Sequence, residues 1–320
     1  MPTVSVLIPR VPRRPEQVLP YAALVEWTHA CRLWQGQALL VEPHQAFAYA
    51  AGAGFRVPVG LGVTLMGLRH PYEAASQIRS LAMITGHPVV AGFGPGSRDF
   101  QRTLRSEPYA SPLTAAREYL TAVRQGIDGR IGDVEGDYVT FRGQLAPTPA
   151  PDVSLGLGVL RPGMARLAGE IADVAITWLT PAPYLDEVIR PALREGAEKA
   201  GRPTPRLVSI VPMAVAAVDR DPAELAHVSN AQHVAGPHYR DMLQRAGSGI
   251  SAQDTPHVAA KRLVECGAFL SGTPDELVGA IAGFGDAGVD EVVVNVTGVH
   301  KALGHKAAMD DLKAILRATA

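Results

Sequence analysis

Hydrophobic residues in this chain fall in short unbroken runs, and each run is followed by a stretch whose apolar positions recur every three or four residues. The first run, Val4 to Ile8, leads to Pro15, after which Val18, Tyr21, Ala22, Val25 and Cys31 take the spacing of a helix laid against a sheet. The same rhythm predicts a second strand over 32–37 with a helix over 42–52, and a third over 57–65 with a helix over 72–85 opened by Pro71. A fourth strand, 89–94, is followed by a long polar loop and then a helix from Ser111-Pro112 to Ile127. In the second half, strands over 153–158 and 174–179 precede helices over 163–171 and 182–200, and a seventh strand covers 207–218. Helical stretches over 222–246, 256–267 and 274–287 separate it from the eighth strand, 291–296, and a helix over 301–317 closes the chain. Strands that read as continuous apolar runs are buried on both faces of a parallel sheet, and eight of them favour closure into a (β/α)8 TIM barrel. The pattern therefore predicts one α/β domain over 1–320, with a helical insertion at about 222–267 after strand 7 and a small hairpin within 129–151.

Composition narrows the function classes. Hydrophobic residues make up 47% and charged residues 19% of 320, which excludes a disordered chain. A net charge of −1 argues against a nucleic-acid or anionic-membrane surface. Two cysteines, Cys31 and Cys266, are too few for a disulfide framework and fit a reducing compartment. With no export signal and no apolar run of membrane-spanning length, the expectation is a cytoplasmic protein acting on a small molecule.

The carboxyl ends of the strands, where a barrel carries its site, hold few acids or bases. No HExxH, no HxH after the first strand and no strand-end lysine occur, so metal and imine chemistry lose support and no metal is expected. Such a site implies that a cofactor performs the reaction. An open dinucleotide-binding sheet is the alternative, but Gly92-Phe-Gly-Pro-Gly96 lacks the third glycine of that fingerprint. Gly158-Val-Leu-Arg-Pro-Gly163 is the best anion candidate: a strand end running into a helix offers backbone N–H groups, and Arg161 adds a fixed charge. Trp34, Trp178 and Met164 read as core, Glu42 and His44 as surface residues of the second helix, and His70 as a cap.

Four stretches in order, Leu61 to Ala75, Gly92 to Gly96, Met164 to Asp173 and Asp286 to Val294, resemble the bacterial luciferase-like superfamily. Ile176 to Pro181, Pro191 to Arg202 and Leu270 to Asp275 are similar to its deazaflavin (coenzyme F420)-dependent branch, whose members include actinobacterial proteins. The resemblance implies a TIM barrel that passes a hydride between F420 and an organic substrate, with secondary metabolism as a setting. An FMN-dependent monooxygenase and a non-catalytic flavin- or phosphate-binding barrel are its alternatives, and a homodimer is left open. It further implies a cis peptide near Thr64-Leu65 under the cofactor ring, and Gly94, Pro95 and Gly96 along the ring's other side. The phosphate would rest on Gly158, Val159, Leu160 and Arg161 at the start of the helix carrying Met164, with Trp178 close enough to touch the ring. Where relatives carry histidine or aspartate at the second strand end, this chain has Gln37. Gln37, with His238 and Tyr239 of the insertion, is thus a candidate catalytic residue, and His233 joins the last two at the expected substrate mouth.

Overall fold

A computed structural model describes residues 1–320. In chain order the elements are β1 (Thr3–Leu7), α1 (Leu19–Glu26), β2 (Leu33–Gln35), α2 (Pro43–Gly52), β3 (Val59–Leu65), α3 (Pro71–Thr85), β4 (Val89–Gly94), α4 (Arg98–Leu104) and α5 (Pro112–Ile127). They continue with β5 (Val134–Glu135), β6 (Thr140–Phe141), β7 (Val153–Gly158), α6 (Pro162–Ile171), β8 (Val174–Trp178), α7 (Ala182–Tyr184) and α8 (Arg190–Lys199). The last are β9 (Arg206–Val215), α9 (Pro222–Ala235), α10 (Pro237–Arg245), α11 (Pro256–Glu265), β10 (Leu270–Gly272), α12 (Pro274–Asp286), β11 (Glu291–Asn295) and α13 (Thr297–Ala318). Parallel pairing runs β11, β1, β2, β3, β4, β7, β8, β9, and β9 returns to β11, so eight strands close a TIM barrel. The predicted hairpin is the antiparallel pair β5 and β6.

Alternation along the closed strands divides the apolar residues into two sets. Leu7, Trp34, Val90, Val174, Ile176, Val208, Ile210 and Val293 fill the barrel, and the larger core lies between strands and helices. The interior is built around Trp34. A Cβ on Gly60 would stand 2.3 Å from its ring, so β3 lies against the indole only because residue 60 is glycine. Trp34 Nε1 donates to Glu291 Oε1 at 2.7 Å, and Ser5 Oγ donates to the same oxygen at 2.7 Å. Arg32 Nε, 3.5 Å from Glu291, supplies the opposite charge that a buried carboxylate needs.

Several elements differ from the pattern-based expectation. β10, in a stretch to which the pattern assigns no element, pairs with the far end of β9 from Leu270↔Met213 to Gly272↔Val215. The polar segment after β4 contains α4, whose first turn is capped by the Ser97 hydroxyl. The helix expected over 222–246 breaks at Gly236, because Pro237 forces its predecessor out of the helical region. α13 begins earlier than Lys301, after Asn295 Oδ1 accepts from Thr297 N, and it kinks at Gly304, where φ is 87°. No helix is long and apolar enough to cross a membrane.

Candidate active site

The carboxyl end of the barrel is floored by residues that the alternation turns inward: Gly36, Gly94 and Gly158 on one side, Trp178 and Asn295 on the other. Between the glycines, β3 breaks register with β4 between Leu61 and Thr64. The bulge carries Val63 over the floor, with its methyls 3.1 Å from where a Cβ on Gly94 would stand and 3.4 Å from one on Gly158. The cis peptide lies at Gly62-Val63, two bonds before Thr64-Leu65, near which the resemblance puts it. Thr64 is buried, its hydroxyl donating to Gly92 O at 3.1 Å, and Leu65 packs beside Gly96.

Two supports hold this floor, and neither was legible as such. Gln37 donates its backbone N–H to Val63 O at 3.0 Å. Its side chain donates to Ala38 O and accepts from Arg69 at 3.3 Å, so Gln37 braces the bulge. Arg69 also reaches Glu42 at 2.6 Å, and Glu42 takes a 2.7 Å bond from His44. Burial alone would raise the Glu42 carboxyl, but the His44 bond and the Arg69 charge outweigh it and hold it below its ordinary value. His44 is buried, correcting its reading as a surface residue, because α2 turns its first residues inward beneath Arg69. On the other flank Gln101, 3% exposed, donates to Gly96 O at 3.0 Å and accepts from Tyr109 N at 2.9 Å, fixing the Gly94-Pro95-Gly96 turn.

The anion candidate has the expected shape with one correction. Val159 N donates to Ile176 O at 2.8 Å, so that N–H is spent on the barrel. After Pro162 the free groups are the first-turn N–H of Gly163 and Met164, at the positive end of α6. Arg161, the uncapped residue before that turn, is half exposed and stands 3.5 Å from Asp241 of α10, which also pairs with Arg245 at 3.1 Å. Tyr184 donates to Leu160 O at 3.3 Å. The insertion therefore reaches the anion loop.

Opposite the glycines, an aromatic cluster walls the mouth. His233 stacks on Trp178 with centroids 5.3 Å apart and planes 22° apart, and Tyr239 meets His233 edge-on at 5.1 Å. His238 lies 4.8 Å from Tyr239. Burial, reinforced by Lys301 and His238, pushes His233 down to about 4. Burial and Arg161 also lower His238, and burial raises the Tyr239 hydroxyl. Both imidazoles are accordingly neutral near pH 7.

A pH prediction follows from the His233 shift. The unfolded chain binds this proton near pH 6.5 and the fold only near 4, so His233 costs no stability above 6.5 and erodes it progressively as pH falls toward 4. Melting temperature should decline over that interval, and His233→Phe should flatten this part of the decline. An unchanged slope would show that the imidazole is not held neutral.

This floor, anion turn and aromatic wall can be set beside known proteins. The family described as luciferase-like monooxygenase matches residues 4–296. The 5,10-methylenetetrahydromethanopterin reductase of Methanolobus tindarius is 30% identical over 253 residues, 74% of this chain and 76% of that one. An F420-dependent glucose-6-phosphate dehydrogenase of Nakamurella multipartita is 31% identical over 170 residues, 50% of this chain and 49% of its own. Among solved structures, an F420-dependent secondary alcohol dehydrogenase in complex with an F420-acetone adduct superposes with a TM-score of 0.78 at 17% identity, covering 100% of this chain and 99% of that one. With the match running from β1 through β11 around the whole closed sheet, the chain belongs to the luciferase-like monooxygenase family.

Proposed function

We propose that this protein is a deazaflavin (coenzyme F420)-dependent oxidoreductase that transfers a hydride between the cofactor and a small organic substrate. The observation that carries the reading is a flat glycine floor and an anion-ready helix start facing one barrel mouth. The names of the relatives support it. Gly94 and Gly158 leave open space beside the Val63 methyls, against which a planar ring can rest. Leu65, Pro95 and Gly96 flank that face, and Gly163, Met164 and Arg161 meet the phosphate. A bound deazaflavin supplies a two-electron hydride carrier. The residues of the chain hold its ring against the substrate, exclude water and bring neutral hydrogen-bonding groups, His233 among them, to the opposite wall.

The protein, mixed separately with purified F420 and with FMN and passed through a gel-filtration column, should keep the F420 absorption band. Retention of FMN alone would replace this reading with FMN-dependent oxygenation, and retention of neither would leave a barrel that binds another phosphorylated metabolite. Arg161→Ala should weaken F420 binding by about tenfold or more, since a charge-assisted contact is worth about 1.5–3 kcal/mol. Equal affinity of variant and parent in an equilibrium titration would remove Arg161 from the phosphate site.

A further inference from the structure

Asp241 Oδ2 lies between two guanidinium groups. Arg161 of the anion loop stands 3.5 Å from it, and Arg245, one turn further along α10, 3.1 Å. Arg245 Nε donates to both carboxylate oxygens at 3.1 Å, so a bond within α10 holds Asp241 in place independently of Arg161. The Tyr184 hydroxyl, bonded to Leu160 O at 3.3 Å and raised mainly by burial, also feels Arg245, Asp241 and Arg161, so three charges converge on the loop that starts α6. Nearby groups do not offset the carboxylate. His238, lowered by burial and by Arg161, is neutral near pH 7, and Arg166 of α6 is engaged by Glu195 at 2.6 Å. Both Arg161 and Asp241 are partly open to solvent, and an anion that reaches the guanidinium therefore meets a carboxylate already beside it. Such a carboxylate weakens the hold on every anion, and the more so the higher the charge of that anion.

We propose that Asp241 is a specificity-determining residue at the cofactor phosphate, biasing the barrel toward the singly charged phosphodiester of a deazaflavin and against the doubly charged phosphomonoester of FMN. The assignment rests on the proposed phosphate position at Arg161 and deepens it. A phosphomonoester carries about 1.5 to 2 negative charges at pH 7, so the carboxylate opposes it up to about twice as strongly as a phosphodiester. The carboxylates of F420 are separated from the phosphorus by further covalent bonds, and the group that meets Arg161 carries a single charge. An anion on the remaining N–H groups of Arg161 stands inside the roughly 8 Å over which charges feel each other at physiological ionic strength. Arg161 and Arg245 against Asp241 leave one net positive charge at the loop, which a diester neutralises and a monoester exceeds. A repulsive group set beside an attractive one is how a site rejects a ligand that shares its contacts. A carboxylate that only clipped α10 to the loop would instead act alike on every ligand of the mouth, whatever its charge.

The test is an equilibrium titration of the full chain with F420, FMN and riboflavin, the last sharing the FMN ring but lacking its phosphate. Each is measured at low salt and again at about 1 M, where the Debye length falls to about 3 Å. Asp241→Asn keeps the size of the side chain and removes its charge. It should raise FMN affinity by about tenfold at low salt and F420 affinity by about threefold, leave riboflavin unchanged, and lose most of the FMN gain at high salt. Arg245→Gln, which takes a cation from the carboxylate, should move the FMN-to-F420 ratio the other way. A ratio that Asp241→Asn leaves unchanged, an equal gain for riboflavin, or a gain that persists at high salt would each overturn the inference. The proposed function fails separately: a parent that binds FMN more tightly than F420 refutes it, while a shifted ratio in Asp241→Asn still upholds the role of Asp241. A parent that prefers F420, with a ratio that Asp241→Asn does not move, leaves the function standing and removes Asp241. Binding of neither cofactor by parent or variants refutes both.

Discussion

Gly158→Val is expected to fold, to melt within about 5 °C of the parent, and to lose deazaflavin affinity by about 100-fold. A Cβ at this position would stand 3.4 Å from Val63 Cγ1 and 3.6 Å from Phe93 O, which is ordinary contact, so the added carbon fits the backbone. Valine suits a strand as well. Its two methyls, however, project from β7 into the mouth, on the surface that the cofactor ring needs flat. Overpacking by such groups costs about 1–3 kcal/mol, of which each 1.4 kcal/mol is tenfold in affinity. Gly158→Ala should fall between the two. Affinity matching the parent in the valine variant, measured by equilibrium titration with F420, would place the ring elsewhere.

The second large effect lies beneath the floor. Trp34→Ala should destabilise the fold by about 3–5 kcal/mol, through the cavity it leaves and the partner it strands. The indole is fully buried, and the chain narrows to glycine at 60 and 62 to make room for it, so no neighbouring side chain is poised to fill the gap. Its loss also removes one of the two 2.7 Å donors to the buried Glu291 carboxylate. Trp34→Phe keeps most of the ring but not the donor, and should cost less. A urea midpoint for Trp34→Ala close to that of the parent would show that the barrel interior is not organised around this side chain.

Seven of the eight barrel strands were legible from apolar residues dense enough for burial on both faces, and β2, only Leu-Trp-Gln, from its place in the strand–helix rhythm. β10 was not: Leu-Ser-Gly has no such run, and it becomes a strand only because β9 extends beyond β11 and leaves backbone groups to pair. α4 was hidden by its charge, since Arg98, Asp99 and Arg102 read as loop while Gln101 alone turns inward. For the site, glycines at strand ends and Arg161 before a helix start are local signals, and the sequence carries them. What it does not carry is the side on which a neighbour stands. Gln37 drew attention as a departure from a familiar pattern, yet its partners, Val63 and Arg69, lie on the next strand and the loop beyond it. Asp241 lies 80 residues from Arg161 along the chain, and only the fold brings it to the anion loop.

The pairing of β10 with the far end of β9 also has an evolutionary reading. Ala216 N donates to Gly272 O at 2.8 Å, so the segment carrying α9, α10 and α11 leaves and rejoins the barrel through adjacent, hydrogen-bonded strands. A stretch clamped at its base in this way can be lengthened, shortened or exchanged for another of different sequence without moving any strand of the ring. One unaltered cofactor platform could then be refitted to successive substrates by swapping a single cassette.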